Sequence, residues 1–215
     1  MKKQHGTESS DTEGRIFDAA TDVIAQKGYS GAGIQEIIDL SGTSKGSFYF
    51  HFPSKEAMAF ALVERMCDRL VKKVQKSIKS EPTPLHRLVT SVDVLMATFG
   101  SQRKVAQVLL LNVIGHGKAT DKKFLPIRER FSSLIKDELD RAVDTGQIDP
   151  QDTSLMSEMW VGALHEVILR WLLKGKSCSL IGNVSELTKA LMKSVGAPKQ
   201  FVENLPTFPS RSKVI

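Results

Sequence analysis

Ser44-Lys45-Gly46-Ser47-Phe48-Tyr49-Phe50-His51-Phe52, followed after Pro53 by Ser54-Lys55-Glu56-Ala57, is the stretch on which the fold turns. Ser44 can cap a short helix reaching Phe50, because a serine hydroxyl satisfies an amide left free at a helix start. Pro53-Ser54 breaks that helix and starts another. Just upstream, Ile34, Ile37 and Ile38 mark a short helix ending near Leu40, and Ser41-Gly42 reads as a tight turn. Two short helices joined through a glycine turn make a helix-turn-helix. The second helix has a small polar leading end, Ser44 to Ser47, and an apolar rear in Phe48 and Phe52. A helix that enters a DNA major groove needs that asymmetry.

The residues around this core repeat a known order. Gly28-Tyr29, Ile37-Ile38, Ser41-Gly42, Ser44 to Phe52 and Ser54-Lys55-Glu56-Ala57 closely resemble the tetracycline-repressor family over residues 15–62 or so. The resemblance implies an all-α chain with an N-terminal three-helix DNA-binding domain (1–54) and a larger helical ligand-binding and dimerisation domain (55–198). A polar tail (199–215) would follow. It also implies a repressor that binds operator DNA as a homodimer. Tyr49, His51 and Lys55 would contact the DNA backbone. Lys45 and Ser47 would lie nearest the bases, with Ser44 and Gly46 beside them. Three positions depart from the family pattern. Ala32 and Gly33 stand where hydroxyl residues are usual, and Thr43 stands where a small aliphatic residue is usual, so its hydroxyl must find a partner.

Charge does not make this argument. The net charge is +6, yet residues 1–55 hold six basic and seven acidic side chains. The surplus lies further on, from Arg65 to Lys79, so DNA binding rests on a few placed residues rather than on a basic domain. Taken singly, Tyr49, Phe50 and Phe52 read as core aromatics, and Lys45 and Lys55 as surface lysines.

Helical spacing continues on both sides. Ser10 and Glu13 have the form of a capping box opening the first helix, and Gly28 is placed to end it. A long helix follows from about Lys55 to Lys79. Others cover Leu85 to Phe99, roughly 103–114, Phe124 to Val143, Thr153 to Lys174, and 184–195 with Asn183 and Glu186 as its cap. No strand alternation or repeat interrupts them. No run approaches the ~18 apolar residues of a membrane span. No secretory signal opens the chain, so the expected location is cytoplasmic.

The helix at 153–174 is apolar on most sides and must be covered on most sides. Leu155, Met159, Gly162 and Ala163, with Leu187 and Leu191 of the last helix, are the candidate dimer interface. Met96, Phe99, Asn112, His116, Phe131, Trp160 and His165 combine apolar bulk with sparse polar groups, the composition of a small-molecule pocket. They point to a mostly apolar effector that releases the DNA. Each is individually more commonly core or surface. No catalytic constellation, metal-ligand spacing or cofactor motif is present in the sequence. His165-Glu166 lacks a second histidine at helical spacing. Two other readings stand beside this one: a redox-responsive regulator using Cys67 or Cys178, and a helical binding protein that does not touch DNA.

Overall fold

The computed structural model describes residues 4–112, 118–175, 180, 182 and 184–207. Among them all regular structure is helical, in the order α1 (Gln4–Gly31), α2 (Ile34–Ser41), α3 (Lys45–His51), α4 (Lys55–Ile78), α5 (Pro84–Ser101) and α6 (Arg103–Gln107). A π-helical turn (Val108–Asn112) follows. Then come α7 (Lys118–Asp144), α8 (Thr153–Leu173), α9 (Val184–Ser194) and α10 (Lys199–Glu203). The all-α expectation holds. No described helix is long and apolar enough to cross a membrane.

The chain forms two compact units, which cut across the sequence order. One comprises residues 1–67 with 104–124, the other 68–103 with 125–215. The division falls inside α4 and inside α7, so each of those helices gives one part to each unit.

In the first unit, Ile16, Ala20, Val23 and Ile24 of α1 meet Ile37 and Ile38 of α2 and Phe48 of α3, all buried. Phe17, Phe48 and Phe52 form a chain of tilted rings with centroids 5.2 and 6.0 Å apart. The π-helical turn packs on α1, and Lys104 of α6 pairs with Asp22 of α1 at 2.7 Å. Gly28 has φ 73° and ψ 166°, which interrupts α1 before a last turn to Gly31. The capping box predicted at Ser10 and Glu13 does not open the helix. α1 begins upstream at Gln4, so Ser10 lies inside it, and Glu13 instead faces Arg65 at 3.9 Å.

In the second unit the helices are joined by polar contacts at their ends. Thr83 caps α5 and Asp152 caps α8, its carboxylate accepting from the Leu155 amide at 2.9 Å. Arg103 stacks on the Trp171 ring at 4.4 Å and donates to the Leu172 carbonyl at 2.8 Å. A cation is thereby placed at the negative end of α8. Glu138, almost fully buried on α7, receives Arg87 of α5 at 3.4 Å and, from its own helix, Arg141. Thr153 donates to Asp140 at 2.5 Å, tying α8 to α7. α7 starts at Lys118, six residues before Phe124, because its first turns carry no apolar stripe to announce them. The cap predicted at Asn183 lies outside the described residues.

The segment from Lys199 also differs from the expected loose polar tail. It opens with α10, which packs on α9. Val202 is buried there, and Phe201 stands edge-on to His86 with centroids 5.0 Å apart. Two apolar side chains three-dimensionally close to α5 and α9 suffice to fold a segment whose sequence is mostly polar.

Candidate nucleic-acid interface

α2 and α3 are placed by contacts that are partly local and partly reach far along the chain. Gly33 precedes α2 in extended conformation and offers no side-chain cap, as its identity dictates. Gly42 takes the left-handed conformation at φ 63° and ends α2. A residue with a Cβ is strained in that conformation. Thr43 finds its partner in Ser41, whose hydroxyl lies 2.8 Å away. Ser44 then caps α3, accepting from the Ser47 amide at 3.0 Å. From the other side Arg15 of α1 donates to the carbonyls of Ser41 and Gly42 at 3.3 and 3.5 Å. Arg15 therefore holds the turn that sets the angle of α3. It does so from 26 positions away along the chain, so no local motif announces it.

The two sides of α3 are sharply different. Phe48 is fully buried and Phe52 nearly so, whereas Tyr49 is 43% exposed and Phe50 82% exposed. Lys45 and Gly46 are exposed, and Ser47 and His51 are half-buried. A Cβ on Gly46 would have the Ser44 hydroxyl as its nearest neighbour, at an unstrained 3.8 Å. The fold itself therefore does not require glycine there. Phe50 departs from its reading as a core aromatic, while Phe52 matches it. The ring of His51 stands edge-on to Phe50 at 5.4 Å.

Beyond Pro53, Ser54 caps α4 by accepting from the Ala57 amide at 3.1 Å. Lys55 sits on the first turn. Its ammonium lies over the Tyr29 ring at 4.8 Å and donates to the Ser30 carbonyl at 3.3 Å. Partial burial lowers its pKa below the ordinary lysine value. Lys55 thus joins the end of α1 to the start of α4, and an ammonium has two further protons for an anion.

This arrangement is a helix-turn-helix with an outward, nearly uncharged recognition face and cations at its edges. Residues 16–62 match the model of bacterial regulatory proteins of the tetR family. The chain belongs to the tetR family. It is a DNA-binding transcriptional regulator. Among its relatives is the fatty acid metabolism regulator protein of Bacillus subtilis, 20% identical over 84% of this chain and 94% of the relative. The transcriptional repressor KstR2 of Mycobacterium tuberculosis is 26% identical over 68% of this chain and 80% of its own. The solved structure of FadR from Bacillus subtilis in complex with stearoyl-CoA superposes with a TM-score of 0.79 at 21% identity. It covers 82% of this chain and 96% of that one. At that identity the likeness shows that the tetR-family fold extends through the helices beyond the DNA-binding head.

The residues expected to bind an effector in this tetR-family chain come from several helices. Met96 and Phe99 of α5 and Trp160 of α8 are buried, and Phe131 of α7 and His165 of α8 are half-buried. Trp160 has its indole N–H engaged by the Ser194 hydroxyl at 3.2 Å. Burial, and then the charge of Arg128, lower the His165 pKa, which keeps the imidazole neutral near pH 7. Asn112 ends the π-helical turn, and its side chain lies outside the described residues, as do His116 and Cys178. A surface pocket of about 420 Å³ lies elsewhere, between His86, Phe201 and Leu205.

The predicted dimer residues fall on two environments. Leu155 and Met159 are 52% and 54% exposed on α8. Gly162 has open space around it, and Ala163 and Leu187 are half-buried. Leu191 is only 5% exposed and already packed within its own chain, so it has no surface left to offer a second subunit. Cys67 is likewise buried, at 2%.

Proposed function

We propose that the chain is a homodimeric repressor that reads its operator with α3 and leaves it when a mostly apolar small molecule binds the second unit. The observation that carries the DNA reading is the two-sidedness of α3. Its buried rear fixes it to α1, and its exposed face carries nothing that the fold needs. In this reading Lys45, Gly46 and Ser47 approach the base edges. Ser44, Tyr49, His51 and Lys55 hydrogen-bond phosphate oxygens. Ser44 does so while its oxygen caps α3. No catalytic role is assigned.

Lys45 and Lys55 separate these jobs. Lys55→Ala is expected to weaken binding to every duplex alike and to lower the slope of log affinity against log salt by about one unit, the mark of a lost phosphate contact. Lys45→Ala is expected to change the preferred base at one position of each half-site, at a cost of about 1–3 kcal/mol. Fluorescence anisotropy on selected and scrambled duplexes over a salt series reads both. Unchanged affinity and slope in both variants would remove the docking.

For the effector, the relation to a regulator solved with stearoyl-CoA and the buried Met96 and Phe99 favour a long acyl chain as the recognised part. Titration of the protein–operator complex is expected to show release by stearoyl-CoA and none by free coenzyme A. Release by both alike would overturn the apolar assignment. The release itself is a population shift. A ligand preferring the conformation with the wrong spacing of the two recognition helices lowers operator affinity by its differential affinity. α4, which belongs to both units, is the element through which that preference reaches α3. A redox signal through Cys67 is disfavoured, because a thiol 2% exposed is shielded from oxidant.

A further inference from the structure

Phe50 is the most exposed large apolar side chain among the described residues, at 82%. It stands on α3 one turn after Gly46, which has no side chain, so the two positions share a face. That face is the one turned away from the buried Phe48. The neighbours of Phe50 on this face offer little to interact with it. Its only described ring contact there is the edge-on His51 at 5.4 Å. An aromatic ring in such a place is unexplained by the fold.

Among the atoms that base pairs present in the major groove, hydrogen-bonding groups dominate. The one apolar group is the C5-methyl of thymine. An apolar ring carried into the groove beside a glycine gains by burying that methyl and gains nothing from a donor or acceptor. We infer that Phe50 is a specificity-determining residue that selects thymine at one position of each operator half-site through its C5-methyl. The inference rests on the DNA-binding reading above and extends it to a residue whose type, taken alone, places it in a core.

The test uses operator duplexes selected from random sequence by the full-length protein, with thymines replaced one at a time by uracil, which lacks only the methyl. Wild-type protein is expected to lose about fourfold in affinity at one thymine per half-site, the value of one buried methyl, and about fifteenfold when both half-sites are changed. Phe50→Ala is expected to bind thymine and uracil duplexes equally. Phe50→Leu should keep part of the discrimination. Because the side chain is exposed, both variants should melt with the wild type in circular dichroism.

The outcomes separate. If wild-type protein binds but no uracil substitution weakens it, or if the penalty persists in Phe50→Ala, the thymine contact is wrong and the DNA-binding reading stands. If wild-type protein selects no duplex and shows no salt-dependent binding, both readings fall together.

Discussion

Replacing Met159 by glutamate is expected to convert the dimer to monomers and to weaken operator binding at least about a thousandfold, the usual gap between specific and non-specific affinity. α8 explains why. One side of it, Thr153, Ser157, Trp160, Leu164, Ile168 and Trp171, is buried within its own chain. The other carries Leu155, Met159 and Leu173 at 52, 54 and 69% exposure, with open space around Gly162. The ion pair of Glu166 with Arg170 at 2.5 Å lies on this same face, between Gly162 and Leu173. Apolar residues at helical spacing around a glycine let a second helix approach closely, and a two-fold axis would set the stripe against its own copy. Each Met159→Glu dimer would then bury two unpaired carboxylates, which costs several kcal/mol per ion. Because Met159 makes little of its own subunit's core, the monomer should retain its helix content. Sedimentation velocity and anisotropy on the operator, with Met159→Leu as the control that stays dimeric, give the answer. A Met159→Glu protein that remains dimeric and binds normally places the interface elsewhere.

The second large effect is on stability. Trp160→Ala is expected to cost about 3–5 kcal/mol, about a fifth or more of the total for a domain of ordinary stability. The indole is 1% exposed and its N–H reaches Ser194 of α9, 34 residues on. Truncation removes the packing between α8 and α9 as well as the hydrogen bond. Trp160→Phe should cost far less. It keeps most of the ring, and Ser194 still donates to the Leu191 carbonyl at 2.7 Å, so about 1 kcal/mol of hydrogen bonding is lost. Urea unfolding without effector measures both. The comparison also decides the role of Trp160. If Trp160→Ala unfolds at the wild-type midpoint yet no longer responds to effector, the residue is a ligand contact. If its midpoint falls as expected, its effect on the response is a consequence of lost packing, and Phe99 and His165 become the better probes.

What the sequence by itself determined here is what neighbours along the chain settle between them. The cap of α3 needs only Ser44 and Ser47. The end of α2 needs only the left-handed freedom of Gly42. The apolar period of α5 and α8 needs no knowledge of their partners. The family likeness, concentrated in residues 16–62, is of the same local kind. Long-range packing decided the rest. Phe48 and Phe50 are two aromatic residues on one short helix, and only the presence of α1 behind that helix makes one core and the other surface. Arg15 clamps the α2–α3 turn from 26 residues away. Lys55, read as a surface lysine or a phosphate ligand, is also a tie to Tyr29 and Ser30. Trp160 and Leu191, of the right composition for a pocket and an interface, are buried within the chain, and the Trp160 indole is tied to Ser194. Composition says that such side chains must be covered, and it cannot say by what. The cover comes from elements far apart in sequence, whose meeting is set by the free energy of the whole packed core rather than by any one segment.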